Sequence, residues 1–268
     1  MALPPPREDG TALITGASAG IGAETARELA SRGFGVTLVA RREERLRELA
    51  DDLTEEHGVR TEVLAADLGD AAGRKRVPAD LEQKGLEVDV LVNNAGFGYA
   101  GNFPGESADR QVEMVELNCA AVVDLAGRFL PAMIERGSGA VINIASTAAF
   151  QPMPKSATYG ATKAFVLSFS EAVHSELKGT GVTMTAVCPG PVKTEFTEAA
   201  GIQGADENLP DFFWMSAEQI AKDAVEAAAA GKRAIVPGKL NQAGSIFGRH
   251  TPRVISLPFT KRLWSRAE

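Results

Sequence analysis

Residues 11–22 read TALITGASAGIG. The first five, Thr11–Thr15, are apolar or β-branched and read as a short buried strand. Gly16, Gly20 and Gly22 follow at the spacing G-x-x-x-G-x-G, and a helix runs on through about Ser31. Glycines at such a turn permit a tight reversal and a close backbone approach to an anion. The helix start beyond them offers unpaired N–H groups and the positive end of the helix dipole. Strand, glycine turn and helix in this order predict a phosphate-binding loop at the start of a βαβ fold.

The same alternation continues outward. Further strands are predicted at Gly35–Ala40, Thr61–Ala66, Val88–Val92, Ala140–Ala145, Val182–Val187 and Arg233–Val236. Helices are predicted at Glu43–Glu56, with Leu46, Leu49 and Leu53 on one face, at Ser107–Arg136, at Tyr159–Lys178 and around Ala217–Ala230. Ser107 suits the N-cap of the long helix, whose Val112, Val115, Val122, Ala126, Phe129 and Met133 recur at helical spacing. Short apolar strands separated by helices predict a doubly wound parallel α/β sheet of seven strands, Rossmann-like, with helices on both faces. No repeat or flexible linker divides the chain, so residues 1–268 are expected to form one domain with its core at about 8–238. The helix from Tyr159 is apolar nearly all round. One side meets the sheet; a second subunit or another helix of the chain covers the other.

Two local patterns carry chemistry. Tyr159 and Lys163 stand four residues apart, on one face of their helix. An ammonium beside a phenol favours the phenolate, whereas a tyrosine pKa near ~10 leaves only about 0.1% ionised at pH 7. A tyrosine helped in this way serves as proton donor or acceptor. At the end of the second strand stands Ala40-Arg41-Arg42, where an acidic residue would accept from the 2′-hydroxyl of NAD. Two guanidinium groups suit a 2′-phosphate instead. NADP(H) is therefore expected in preference to NAD(H), a reading tempered by Glu43 and Glu44 close by.

TGASAGIG at Thr15–Gly22, NNAG at Asn93–Gly96, Ser146 after the fifth strand, YGATK at Tyr159–Lys163 and PGPVKT at Pro189–Thr194 occur in that order. With this set the chain resembles the short-chain dehydrogenase/reductase family over roughly residues 8–238, and its NADP(H)-preferring members in particular. The resemblance implies that Gly16, Ser18, Ala19, Gly20, Ile21 and Gly22 hold the pyrophosphate and adenosine ribose, and that Arg41 and Arg42 meet the 2′-phosphate. Asp67 and Leu68 match adenine contacts. Asn94, Ala95 and Gly96 line the cofactor, and Pro189, Gly190, Val192 and Thr194 hold the nicotinamide. Asn118, Ser146, Tyr159 and Lys163 match the catalytic positions, with Tyr159 and Lys163 also touching the cofactor. Lys163 holds the nicotinamide ribose, and Asn118 positions a water that links Lys163 to solvent. The implied reaction is hydride transfer between a ketone or aldehyde and an alcohol. Ser146 and Tyr159 stabilise the charge that builds on the carbonyl oxygen. A cofactor-binding regulator or scaffold on the same fold is the competing reading, and a nucleotide-sugar epimerase ranks below it because the longer substrate domain is absent.

The remaining features set bounds. A net charge of −7 over 268 residues argues against a general nucleic-acid binder. Cys119 and Cys188 sit in apolar runs and are expected to be buried and free, in a reducing compartment. His57, His174 and His250 lack ligand spacing, and no metal site is expected. MALPPPREDG does not read as a signal peptide, and no run nears the ~18 apolar residues of a membrane span. A cytoplasmic protein is expected. Glu195–Met215, with Phe196, Ile202, Leu209, Phe212, Phe213 and Trp214, is expected to cover the substrate, flanked by Phe97, Phe150 and Met153. That composition suggests an apolar carbonyl or alcohol. Lys193 reads as a solvated charge. Beyond Gly238, six basic residues face only Glu268, interleaved with Phe247, Ile255, Leu257, Phe259 and Trp264. This tail is expected to pack as an arm on the fold or a neighbouring subunit by burying Phe247, Phe259 and Trp264, with contact to an anionic membrane as the lesser alternative. A homodimer or homotetramer is expected.

Overall fold

The computed structural model describes residues 3–192, 194, 195, 214–254 and 257. Its centre is a seven-stranded sheet in the order β3-β2-β1-β4-β5-β6-β7. The strands are β1 Gly10–Thr15, β2 Val36–Ala40, β3 Thr61–Ala65, β4 Glu87–Asn93, β5 Gly139–Ile144, β6 Val182–Val187 and β7 Ala234–Ile235. All pairings are parallel. Every residue of β1, β5 and β6 is buried, as a parallel sheet covered on both faces requires. Side chains alternate between two layers. Ile14, Leu38, Val92 and Ile142 face α1 (Gly20–Ser31), α2 (Glu43–His57) and a helix at Ala217–Ala229, while Leu13, Val39, Leu91 and Val141 face the opposite helices.

The chain reverses its direction of winding between β1 and β4, which are hydrogen-bonded neighbours. At such a switch point the loops leaving the carboxyl ends of the strands part and leave a crevice. Gly16, Arg41, Asn94, Ser146 and Pro189 each lie just past the end of a strand, so the topology gathers them at one edge.

Three helical features differ from the sequence reading. Helix α3 (Ala71–Gln83), capped by Asp70 accepting from the Ala72 N–H at 3.2 Å, was not predicted because Gly73 and Pro78 lower its intrinsic propensity. The long helix is interrupted. Ser107 caps α4 (Ala108–Val115) as expected, but Glu116–Ala120 forms a π turn before α5 (Ala121–Arg136). The π turn shifts the face, so the stripe does not lead into the core throughout. Val122, Ala126 and Met133 are buried, whereas Val112 is 59% and Val115 44% exposed. This run is long and apolar enough to cross a membrane by composition; here α5 packs on β4 and β5.

The tail opens with an ordered helix. After α6 (Ala157–Glu176) and α7 (Ala217–Ala229), α8 occupies Lys239–His250. Its Asn241 and Ser245 are buried, and Asn241 packs against Gly190. Phe247, expected to anchor the arm, is instead 57% exposed on α8. Phe259 and Trp264 lie outside the described residues.

A buried polar chain crosses the sheet beneath the site. Asn93 Nδ2 donates to Asn143 Oδ1 at 2.8 Å, Asn143 Nδ2 to Ser170 Oγ at 2.8 Å, and Ser170 Oγ to the Val166 carbonyl at 2.6 Å. Asn143 is completely buried. The Asn143→Ala substitution would leave the buried Asn93 Nδ2 without its acceptor, at a cost of ~1–3 kcal/mol, and would take from Ser170 one of its two hydrogen bonds. We expect denaturant unfolding to show a loss of ~2 kcal/mol or more with the fold retained. An unchanged midpoint would show that this chain contributes nothing to stability.

Candidate active site

The glycine loop is braced from β4. Thr15 Oγ1 accepts from the backbone N–H of Asn94 at 2.9 Å and of Ala95 at 3.0 Å, and donates to the Val92 carbonyl at 3.1 Å. Asn94 Nδ2 donates to the carbonyls of Thr15 at 2.9 Å and Gly16 at 3.2 Å. Gly16 has φ +66°, and a Cβ there would lie 2.8 Å from Asn94 Nδ2; at Gly22 a Cβ would lie 2.4 Å from the Gly16 carbonyl oxygen. Only glycine fits either place. Helix α1 begins with no side-chain cap at Ala19 and no acidic residue in its first turn. The first N–H groups of α1, at Gly20, Ile21 and Gly22, are thus uncapped by any side chain, and the loop fits a pyrophosphate.

At the far end of the loop the basic residues divide. Arg42 donates to Ser18 Oγ at 3.0 and 3.2 Å and to Glu195 at 2.7 Å. Arg41 turns instead toward Asp67, 4.0 Å away. Glu43 is engaged by Arg47 one turn along. Leu68 lies past the end of β3 at Ala65, and its side chain packs in the core. Its carbonyl accepts from Arg74 at 3.0 Å. Arg74, buried and unremarked in the sequence, also holds the Gly69 carbonyl, Asp124 and Glu116. It fastens the loop carrying Asp67 to α5 and the π turn.

Ser146, Tyr159, Lys163 and Asn118 converge from β5, α6 and the π turn. Ser146 Oγ accepts from the Ala148 N–H at 3.1 Å. Lys163, buried, donates to the Ile144 carbonyl at 2.9 Å, and its Nζ lies 5.7 Å from the centre of the Tyr159 ring. Burial lowers the Lys163 ammonium to about 8, opposed by the nearby Cys119 and Cys188. Burial also pushes the Tyr159 phenol up to about 12, opposed by a hydrogen bond with Ser146. Desolvation thus moves the phenol away from the phenolate in the protein without cofactor, and no contribution of Lys163 to that shift is resolved. Cys119 and Cys188 are free and buried, and burial raises their thiols to about 11 and about 12.

Asn118 is fully engaged. Its Oδ1 accepts from the Phe97 N–H at 3.1 Å, and its Nδ2 donates to the Phe97 carbonyl at 2.9 Å and to Thr162 Oγ1 at 3.1 Å. Thr162 donates in turn to the Tyr159 carbonyl at 2.8 Å. Gly96 lies against both Asn118 Oδ1 and Lys163 Nζ. Asn118 thus joins the loop after β4 to the catalytic helix, with Thr162 as the link that the sequence reading missed.

Pro189–Val192 is held from several sides. The Pro189 carbonyl accepts from the Thr147 N–H at 2.9 Å, and that of Pro191 from the Met215 N–H at 3.2 Å. Val192 pairs with Met215, and Thr194 rests on Gly20. Lys193 and the predicted covering residues Phe196, Ile202, Leu209, Phe212 and Phe213 lie outside the described residues. Phe97 stands at the site and Met153 packs on Gly160. Phe150 lines a cavity of about 190 Å³ beside Leu167, Glu171 and Arg249. Tyr99, Phe103, Gln111, Met114 and Tyr159 line a crevice in which Gln111 Oε1 is buried without a hydrogen-bond partner.

The sequence model of the short chain dehydrogenase family matches residues 10–203. This chain belongs to that family. A very-long-chain 3-oxoacyl-CoA reductase of Anas platyrhynchos is 39% identical over 194 residues, covering 70% of this dehydrogenase and 61% of the relative. The match thus spans under two thirds of that relative's length. Sulfoacetaldehyde reductase 2 of Chromohalobacter salexigens is 39% identical over 216 residues, covering 78% of this chain and 84% of the relative. Among solved structures, a short-chain dehydrogenase from Sphingobium yanoikuyae in complex with NADPH superposes with a TM-score of 0.80 at 34% identity, over 94% of this chain and 93% of that one.

The protonation state of this dehydrogenase is open to a direct test, since Tyr99 and Tyr159 are its only tyrosines. A folded pKa of about 12 against an ordinary value of 10.0 means that the protonated phenol supports the fold, a contribution lost as pH rises from 10 toward 12. In phenolate absorbance titrations of the free protein, the step missing from Tyr159→Phe should lie above pH 10. A Tyr159 step at or below pH 9 would restore the lysine-activated phenolate.

Proposed function

We propose that this short-chain dehydrogenase interconverts a ketone or aldehyde with an alcohol, using NADP(H) in preference to NAD(H). The observation that carries the reaction is the convergence of Ser146, Tyr159 and Lys163 where the loops from β4, β5 and β6 meet. When bound, the nicotinamide supplies or accepts the hydride. Tyr159, protonated, donates to the carbonyl oxygen as charge builds there, and Ser146 gives that oxygen a second hydrogen bond. Lys163, fixed by the Ile144 carbonyl, holds the ribose hydroxyls. Asn118 keeps the loop after β4 against α6. Support for NADP(H) comes from Arg42 at the end of β2, from the missing acidic residue at Ala40, and from the NADPH named with the Sphingobium yanoikuyae structure. The reductases among the relatives favour the carbonyl-reducing direction. The two free, buried cysteines suit a reducing, cytoplasmic setting.

A panel of carbonyls and alcohols, followed by nicotinamide absorbance with both cofactors, tests the reading. For any substrate found, Tyr159→Phe removes the transferable proton and keeps the ring. Turnover should fall by ~10²-fold or more while cofactor affinity changes little. Turnover near that of the unmodified protein would remove Tyr159 from the chemistry.

The assembly belongs to the same proposal. Val112, Val115, Val123, Ile134 and Phe165 are exposed along α4, α5 and α6, and Phe165 stacks with Phe169 at 6.1 Å between ring centres. Pairing of these helices across a two-fold axis would cover them, and a homodimer is favoured over a homotetramer. Light scattering should give a mass above the 28.2 kDa of one chain, and Phe165→Glu should return it to one chain with the fold intact. A single-chain mass for the unmodified protein at micromolar concentration would overturn the proposal.

A further inference from the structure

An intrachain carboxylate, Glu195, is seated among the cations beside the glycine loop. Glu195 accepts from Arg42 at 2.7 Å through one oxygen and from Arg45 at 3.0 Å through the other. The same Arg42 guanidinium donates to Ser18 in the glycine loop. One residue earlier, Thr194 lies over Gly20, where a Cβ would meet its Cγ2 at 3.1 Å. The 194–195 segment thus rests on the phosphate loop, and its carboxylate bridges two guanidinium groups from the start of α2. Arg42 is the N-cap of α2 and Arg45 lies in its first turn, and both side chains reach Glu195. They hold the Glu195 carboxyl below its ordinary range.

A carboxylate and a phosphate ester present the same thing to a guanidinium fork, namely anionic oxygens in bidentate reach. Whatever Arg42 and Arg45 give to Glu195 they cannot give in full to a second anion. Resting on the NADP(H) reading above, we propose that Glu195 is a built-in competitor for the 2′-phosphate of the cofactor and that Arg45 is a second 2′-phosphate ligand beside Arg42. The contact then sets cofactor discrimination. A 2′-phosphate must displace Glu195 before it meets both arginines, whereas a cofactor ending in a 2′-hydroxyl leaves the bridge standing. The side chains of Arg42, Arg45 and Glu195 are each about half exposed, so solvent screens the pair and the competition is modest, on the order of two- to five-fold in affinity. Arg41, turned toward Asp67, stands outside this arrangement.

The test is equilibrium binding to the full chain, by calorimetry or by NADPH and NADH fluorescence, with no turnover required. Adenosine 2′,5′-bisphosphate and adenosine 5′-monophosphate serve as paired probes that differ only in the 2′-phosphate. Glu195→Gln keeps the size of the side chain and removes the charge. It should tighten NADPH and the bisphosphate two- to five-fold and leave NADH and the monophosphate unchanged. Arg45→Ala should weaken NADPH and the bisphosphate and spare the other two. If the unmodified protein prefers the 2′-phosphate ligands but Glu195→Gln leaves that preference unaltered, or shifts all four ligands equally, the competitor role is wrong and the cofactor reading stands. If neither the unmodified protein nor Glu195→Gln distinguishes the paired ligands, the NADP(H) reading fails and this inference fails with it.

Discussion

One hydroxyl group holds the two central strands in register at the edge where the chemistry gathers. Thr15 Oγ1 takes two N–H groups from the loop after β4 and gives its proton to the carbonyl of Val92. From that anchor the glycine loop hangs on one side, pinned through Asn94. On the other side the chain continues through Gly96 and Phe97 to Asn118, then through Thr162 to the backbone of Tyr159. The phosphate end and the proton-transfer end are therefore parts of one hydrogen-bonded framework. Because these groups are mostly out of water, each lost link would leave an unsatisfied partner rather than a solvated one.

The parallel sheet was legible in the sequence because strands buried on both faces appear as short apolar runs between glycine and polar turns. All seven appear within a residue or so of where they were expected. Tyr159 and Lys163 stood out because a scarce tyrosine stands one helical turn before a lysine, whereas Ser146 was named only through the family resemblance. Other parts were silent for physical reasons. Gly73 and Pro78 disguise α3, whose existence depends on packing against α5 rather than on propensity. A π turn leaves no mark on an apolar stripe, so the outward turn of Val112 and Val115 was invisible. Arg74 and Glu195 act through partners distant in sequence, and no local spacing announces either one.

Burial, rather than the sum of nearby charges, sets the protonation of the site. An ammonium with a carbonyl for company has been withdrawn from water, and its affinity for a proton has fallen accordingly. The phenol beside it has been withdrawn as well, and its affinity has risen. Both shifts move toward the neutral form, as desolvation dictates.

The π turn at Glu116–Ala120 has a consequence for how this chain tolerates change in length. A deletion of one residue there would relax into an ordinary α-helix, and local propensity would register no fault. The flanking α4 and α5 would keep their faces, since a π turn is an α-helix that carries one extra residue, but the wide turn that presents Asn118 to Phe97 and Thr162 would be lost. Indels that a helix ordinarily absorbs at its surface would here disconnect the loop after β4 from the catalytic helix. The length of this segment is therefore constrained even where its composition is not.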